Sequence, residues 1–391
     1  MELSIVMPCL NEAETLASCL VKAFSFIEKN GIQGEVIVAD NGSTDGSIKI
    51  AEELGARVVH VPIRGYGAAC AYGSEAAEGR YIVMGDSDDS YDFSDLGPFL
   101  ERLREGWDLV MGNRFRGGIK SGAMPWKNRW IGNPVLTGIG RLFFSSYIGD
   151  FHCGLRGYSK EAFRKMNLRS MGMEFASEMV IKAHLMGLRI AEVPTVLAPD
   201  GRSRPPHLRP WRDGWRHLRL MLLFSPQWLF MTPGLLMMLF GLCVGSLLLQ
   251  GPLHLGHLEF GINTLVYMAS LVMLGFQATL FWVFTKVFAI TEGLLPPDAN
   301  LERFFQAFTL EVGLVVGFVI MACGIFGGFE SLSFWSSEGF GALNPLESLR
   351  IVIPSSMGIM IGFQIILASF FLSVLNLRVK GRPDQSPSHE A

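Results

Sequence analysis

Six cysteines are scattered along 391 residues, at Cys9, Cys19, Cys70, Cys153, Cys243 and Cys323, and no two stand in C-x-x-C spacing. That argues against a zinc ribbon or a disulfide frame and fits a reduced compartment with packing roles for the thiols. Charge of one sign is also lacking. The net charge of -3 leaves no electrostatic footprint for nucleic acid. The opening residues read as a strand without a basic segment before it, so no signal peptide is expected. A dinucleotide fingerprint is missing, because Cys70 stands where the third glycine after Gly65 and Gly67 should be. No G-x-G-x-R-[LM]-like loop lies near the first strand, which counts against a nucleotidyltransferase.

What is present divides sharply. Residues 1–205 have ordinary globular composition, and long apolar runs begin near residue 228. Trp228–Leu249, Thr264–Ile290, Leu310–Phe329 and Ile351–Leu377 each reach the ~20 residues that cross a bilayer. Residues 228–377 are therefore expected to be a transmembrane domain of four helices, and 378–391 a tail. Between the two parts, residues 206–227 repeat Trp211, Trp215, Leu218 and Leu222 at helical spacing, with Arg212, Arg216 and Arg219 on the next stripe. This reads as an amphipathic helix at the lipid surface, the alternative being a helix packed on the globular domain. The loops 251–263 and 330–349 hold no Lys or Arg, whereas Arg303 and the tail residues Arg378, Lys380 and Arg382 are cationic. The positive-inside rule then places the globular domain and the C-terminus on the cytoplasmic side.

The globular part alternates strand and helix patterns. Leu3–Pro8, Glu35–Asp40, Arg57–Val61 and Tyr81–Met84 read as buried strands, separated by helical stretches such as 13–30. That order predicts an α/β fold with a mostly parallel sheet and right-handed crossovers. Three strand exits then gather on one edge, where such sheets bind nucleotides. They carry Pro8, Asn11 and Glu12, then Asp40, then Asp86 and Asp88. Arg64 and Gly65, which open the helix before the fourth strand, are also expected to bind the donor nucleotide. Asp86-Ser87-Asp88 offers hard oxygens of the kind that hold Mg²⁺ or Mn²⁺ together with substrate phosphates.

Val6-Met7-Pro8-Cys9-Leu10-Asn11-Glu12, the stretch Val38–Gly46 and Asp86-Ser87-Asp88 resemble the three signature segments of family 2 glycosyltransferases. Gly112-Asn113-Arg114, the stretch Asp150–Tyr158, Glu178 and Glu192-Val193-Pro194 resemble the dolichyl-phosphate mannose synthase branch. The resemblance implies a GT-A fold, a nucleotide-sugar donor and inversion at the anomeric carbon. It implies donor-side roles for the residues of the three exits, with Asp86 and Asp88 on the metal. Asp88-Asp89-Ser90 departs from the D-x-Q often found in that branch, which leaves the third metal ligand open. No Q-x-x-R-W follows Glu178, which speaks against a processive polysaccharide synthase.

Arginine suits phosphate because its planar fork donates two parallel bonds. Arg114, Arg129, Arg202 and Arg204 are the candidates for an acceptor phosphate. Trp126-Lys127-Asn128-Arg129-Trp130 has the aromatic and cationic character of a headgroup contact. Asp150 and Glu178 are expected to orient sugar hydroxyls or the acceptor, Asp150 acting as a base only if one is needed. The expectation is an enzyme that transfers a sugar from a GDP-mannose- or UDP-glucose-type donor to a membrane polyprenyl or dolichyl phosphate. The alternatives are a ceramide or diacylglycerol acceptor, or a lipid-linked-sugar flippase whose soluble domain is regulatory. Whether the chain forms a homo-oligomer is left open by the sequence.

Overall fold

The computed structural model describes residues 1–203 and 210–375. Arg204 and the tail cations lie outside the described residues. The chain separates into two compact units, 1–225 and 226–391.

The strands of the first unit are β1 (Leu3–Cys9), β2 (Gly34–Asp40), β3 (Arg57–His60), β4 (Tyr81–Met84), β5 (Leu109–Asn113), β6 (Arg156–Ser159) and β7 (Ile190–Pro194). Its helices are α1 (Leu16–Lys29), α2 (Ser47–Glu53), α3 (Tyr66–Ala76), α4 (Gly97–Arg104), α5 (Arg114–Gly117), α6 (Asn133–Phe144), α7 (Lys160–Met166), α8 (Phe175–Leu185) and α9 (Pro210–Leu223). The sheet order is β3-β2-β1-β4-β6-β5-β7. The first four strands are parallel, β6 runs antiparallel to both β4 and β5, and β7 is parallel to β5. This is a GT-A-like, mostly parallel sheet.

Every residue of β1 and β4 is buried, because helices cover both faces of the sheet. Leu16, Leu20, Phe99 and Leu103 pack on one face from α1 and α4. Phe175, Met179, Phe163 and Met166 pack on the other from α8 and α7. The four expected strands stand within a residue of their sequence bounds. The 13–30 helix is shorter, since Ala13, Glu14 and Thr15 form a turn before it begins. All of Cys9, Cys19, Cys70 and Cys153 are buried free thiols.

Helix α9 corrects the expected division at residue 205. It belongs to the first unit, and Asp213, His217 and Met221 enter its core. Its other side leaves Trp211 88% and Trp215 58% exposed. Leu218 and Leu222, expected on the exposed apolar stripe, are only half-buried between these faces.

In the second unit, apolar helices run over 227–250, 262–291, 310–337 and 345–375, each long enough to cross a membrane. The helices α10 (Thr232–Gln250) and α11 (Ile262–Thr291) pair closely. So do α13 (Leu310–Ser337) and α14 (Pro345–Leu375), with a short α12 (Ala299–Ala307) between the pairs. Small residues permit this. A Cβ on Gly234 would come within 2.8 Å of the Gly275 carbonyl, and one on Gly362 within 2.5 Å of the Gly317 carbonyl. Lipid offers no hydrophobic drive between helices, so such close backbone packing is what joins them.

Candidate active site

The exits of β1, β2 and β4 are tied to one another by their own polar groups. Ser87 Oγ donates to the Pro8 carbonyl at 2.7 Å, and Thr15 Oγ1 donates to the Ser87 carbonyl at 2.7 Å. The Asn11 side chain accepts from Thr44 N at 2.7 Å, and Ser43 Oγ accepts from Asn11 N at 2.9 Å. Asn11 holds a positive φ of 58°, a conformation that asparagine tolerates better than most residues. Asp40 accepts from the backbone of Gly42 and Ser43, which closes the turn after β2. Asn41 ties that turn to the start of α3 by accepting from Gly65 N at 2.8 Å. Arg64 beside it is exposed.

The β4 exit splits its three carboxylates. Asp86 Oδ1 accepts from the Tyr66 hydroxyl at 2.9 Å, and a Cβ on Gly154 would overlap Asp86 Oδ2. Burial, then the charge of Asp88, push the Asp86 carboxyl up to about 6, against the opposing effects of Tyr66, Arg202 and Arg156. Asp88 Oδ1 closes its own turn on Ser90, at 3.1 Å from the backbone N and 2.5 Å from Oγ. Its Oδ2 meets Arg202. Asp89 turns away at φ 60° and pairs with Lys22 on α1 at 2.7 Å. It anchors the loop to α1.

Arg202 stands among acids. Its guanidinium lies 3.0 Å from Glu12, 2.8 Å from Asp88 and 2.9 Å from Asp200. The sequence expects Arg202 on the acceptor side, whereas its partners in the structure are two strand-exit acids, Glu12 and Asp88, and the loop residue Asp200. Among the described residues no three Asp, Glu, His or Cys side chains converge as a metal cage. Two hard carboxylates at a strand exit still fit Mg²⁺ or Mn²⁺, which fill their remaining positions with phosphate and water.

The second half of the site is the turn 150–154. Asp150 is fully buried and takes Arg114 with both oxygens, Oδ2 from Nε at 2.6 Å and Oδ1 from Nη2 at 2.7 Å. Arg114 N also donates to Oδ2 at 3.1 Å. Glu192 accepts from Gly149 N at 2.6 Å and Asp150 N at 3.2 Å. Tyr91 Oη accepts from Gly154 N at 3.0 Å. Arg156, also fully buried, donates to the carbonyls of Cys153 and Ala176. Gly154 thus brings a firmly held turn against the Asp86 carboxylate.

Two expected site residues fall elsewhere. Glu178 is buried, paired with Lys182 at 2.8 Å, and accepts from the backbone of Arg169 and Ser170. A carboxylate so saturated has no oxygen for a sugar. It caps the 169–172 loop, whose Met171 carbonyl accepts from Ala68 N at 3.1 Å. The catalytic reading of Glu178 is replaced by that anchoring role. Arg129 lies with its guanidinium 5.4 Å from the centre of the Trp130 ring, and among the described residues it makes no bond to the Arg114–Asp150 pair. Tyr66, which touches Asp86, and Asp200, which touches Arg202, are not among the residues the sequence singles out for the site. Tyr66 opens a helix and Asp200 lies in a loop, so neither carries a periodic signal.

Residues 4–166 match the model of Glycosyl transferase family 2, and residues 283–376 match its Glycosyltransferase family 2 C-terminal transmembrane region. The low-salt glycan biosynthesis hexosyltransferase Agl6 of Haloferax volcanii is 38% identical over 95% of this chain and 89% of its own length. The chain belongs to glycosyltransferase family 2. A dolichyl-phosphate hexose transferase of the same organism is 30% identical to this family member over 49% of the chain and 80% of the relative. Among solved structures, glucosyl-3-phosphoglycerate synthase from Mycobacterium tuberculosis in complex with Mn²⁺ and UDP-glucose aligns at TM-score 0.45 and 25% identity. It covers 57% of this chain and 78% of that one. Within this family member, the strand-exit acids and the 150–154 turn are the candidate active site.

Proposed function

We propose that the protein transfers a hexose, with inversion, from a GDP-mannose- or UDP-glucose-type donor to the phosphate of a membrane polyprenyl or dolichyl lipid. The observation that carries this reading is the buried Arg114 fork bonded to Asp150, on the turn whose Gly154 packs against Asp86. A cation held beside the donor carboxylates suits an acceptor that is itself an anion. The relative named a dolichyl-phosphate hexose transferase supports a lipid phosphate, and the four apolar helices support a substrate in the bilayer.

The chemistry asks little of a base. A phosphomonoester has its second pKa near 6, so at pH 7 its oxygen is mostly unprotonated. That oxygen attacks the anomeric carbon from the face opposite the nucleoside diphosphate, and the C–O bond to the diphosphate breaks. Asp150 keeps both oxygens on Arg114, and we assign it the orienting role. Arg114 uses Nε and Nη2 on Asp150 and retains Nη1 donors for the lipid phosphate. Asp86 and Asp88 would hold Mg²⁺ or Mn²⁺, whose charge stabilises the departing diphosphate. Arg202 exchanges its carboxylate partners for the donor phosphates. Fixing both reactants makes the step effectively unimolecular.

Trp126 and Trp130 are 65% and 62% exposed, and Trp211 and Trp215 are exposed on α9. With Lys127, Arg129, Arg212 and Arg219 beside them, we place these segments at lipid headgroups on the cytoplasmic side, as the loop cations imply. The test is a donor screen with full-length protein, several UDP- and GDP-sugars, and a polyprenyl phosphate. The expected products are nucleoside diphosphate and a lipid-phosphate sugar. Release of pyrophosphate, or transfer only to ceramide or diacylglycerol, overturns the reading.

A further inference from the structure

A row of neutral polar groups runs from His152, within the 150–154 turn, to α8 and α9. Ser177 Oγ on α8 is 3.3 Å from His152 Nε2 and 2.8 Å from His217 Nδ1 on α9. The two imidazole rings meet edge to face with centres 4.7 Å apart. Ser177 and His217 are buried. Burial holds His217 down to about 4, although Glu174 and Asp213 oppose it, and burial followed by the nearby His217 holds His152 well below its usual value.

The direction of the row follows from a buried atom at its His152 end. Among the described residues His152 Nδ1 is buried with no partner. A bare lone pair there is tolerated better than an unsatisfied N–H. His152 therefore carries its proton on Nε2 and donates to Ser177 Oγ. The serine hydroxyl donates in turn to His217 Nδ1, and His217 carries its proton on Nε2. The row then joins the active site, because His152 N donates to Asp150 Oδ1 at 3.3 Å, the oxygen that also takes Arg114 Nη2.

An apolar core does not call for such a row. Three aliphatic side chains would fill the space without buried polar groups to satisfy. What the row adds is a directional connection between α9, which leads into the first apolar span, and the turn that aims Arg114. We infer that His217 is a positioning residue for sugar transfer. Through Ser177 and His152 it fixes the Asp150 turn, so the seat of α9 sets how Arg114 meets the acceptor phosphate. This rests on the acceptor reading given above.

The experiment uses full-length protein in detergent with polyprenyl phosphate, and compares His217→Leu, His217→Asn and Ser177→Ala. The leucine and alanine variants are expected to lose about tenfold in kcat for transfer, which is about 1.4 kcal/mol in the barrier. Their affinity for nucleoside diphosphate stays within about twofold of wild type. His217→Asn, whose amide oxygen can take the place of Nδ1 as acceptor, restores most of the rate. Hydrogen exchange of the 149–156 backbone rises in the leucine variant and not in the asparagine one. Unchanged kcat, equal loss of nucleotide affinity, an asparagine variant no better than leucine, or unchanged exchange overturns the inference. If the leucine variant does not fold, Ser177→Ala decides by the same readouts. If wild type moves no sugar to polyprenyl phosphate, the acceptor reading fails, and the exchange measurement still decides whether His217 holds the turn.

Discussion

Arg202 Nη2 stands 2.8 Å from Asp88 Oδ2, so the carboxylate assigned to a metal is already neutralised by a guanidinium. The same side chain reaches Glu12 and Asp200 and is largely buried. A divalent ion approaching Asp88 meets a competitor of like sign. On the proposed function, Arg202 leaves Asp88 when a metal gains that oxygen, and the donor diphosphate is the anion that receives it.

Substituting Arg202→Gln is therefore expected to strengthen Mn²⁺ binding in the absence of nucleotide and to weaken transfer. Charge-assisted bonds contribute roughly 1.5–3 kcal/mol, so the loss in kcat/KM is about tenfold to a hundredfold. Calorimetry with Mn²⁺ alone, then with Mn²⁺ and UDP or GDP, separates the two effects. Weaker Mn²⁺ binding in the nucleotide-free variant would show that Arg202 does not compete.

For Asp88→Asn we expect near-complete loss of transfer with little change in melting temperature. Asparagine keeps an oxygen for Ser90 and removes the negative charge required at the strand exit. Turnover of the purified variant is measured over a range of Mn²⁺ concentrations. Wild-type turnover that needs no added metal would remove Asp88 from the metal role.

How much of this was legible in the sequence differs from residue to residue. The strand exits are readable because a buried parallel strand is a continuous apolar run, and the run Tyr81–Met84 stops just before Gly85 and Asp86. Strand β6 was hidden, since Arg156–Ser159 has neither an apolar run nor alternation; it is fixed by pairing with β4 and β5. Arg114 and Asp150 were singled out separately, but their bond spans 36 positions and no local pattern encodes it. Glu178 shows the opposite failure. A glutamate in the expected place looked catalytic, and only the backbone of Arg169 and Ser170 shows what its oxygens do. Helix α9 was correctly periodic, yet periodicity does not say which face is buried when tryptophan, arginine and histidine share it.

The Arg114–Asp150 pair governs how the acceptor site can be tested. Removing one partner of a buried pair strands the other charge at about 3–5 kcal/mol. Arg114→Ala is thus expected to unfold part of the population and to say little about the acceptor. Arg114→Lys keeps the charge and loses the fork. It should fold, bind nucleotide nearly as wild type, and raise KM for polyprenyl phosphate or lower kcat by about tenfold. Steady-state kinetics at saturating donor, with nucleotide affinity measured in parallel, gives the answer. If nucleotide binding falls and acceptor KM stays, Arg114 belongs to the donor side.

The last prediction concerns acid. His217 is held near about 4 in the folded protein, below the ~6.5 of an unfolded histidine. Between those values the unfolded chain binds a proton that the folded chain refuses. The unfolded state then holds more protons, so stability rises with pH and is lost as pH falls through that window. One such group contributes a slope of about 1.4 kcal/mol per pH unit. His152 is shifted in the same direction and adds to the slope. Carboxylates paired in the folded protein, such as Asp45 and Asp92, also lose stability in acid, but their window lies lower. The measurement is melting temperature of full-length protein from about pH 8.5 to pH 4, for wild type and His217→Asn. The wild type should lose more stability than the variant across pH 6.5 to 4, and the two curves should run parallel above pH 7. Parallel curves throughout would mean that His217 is not held neutral by its burial against α8.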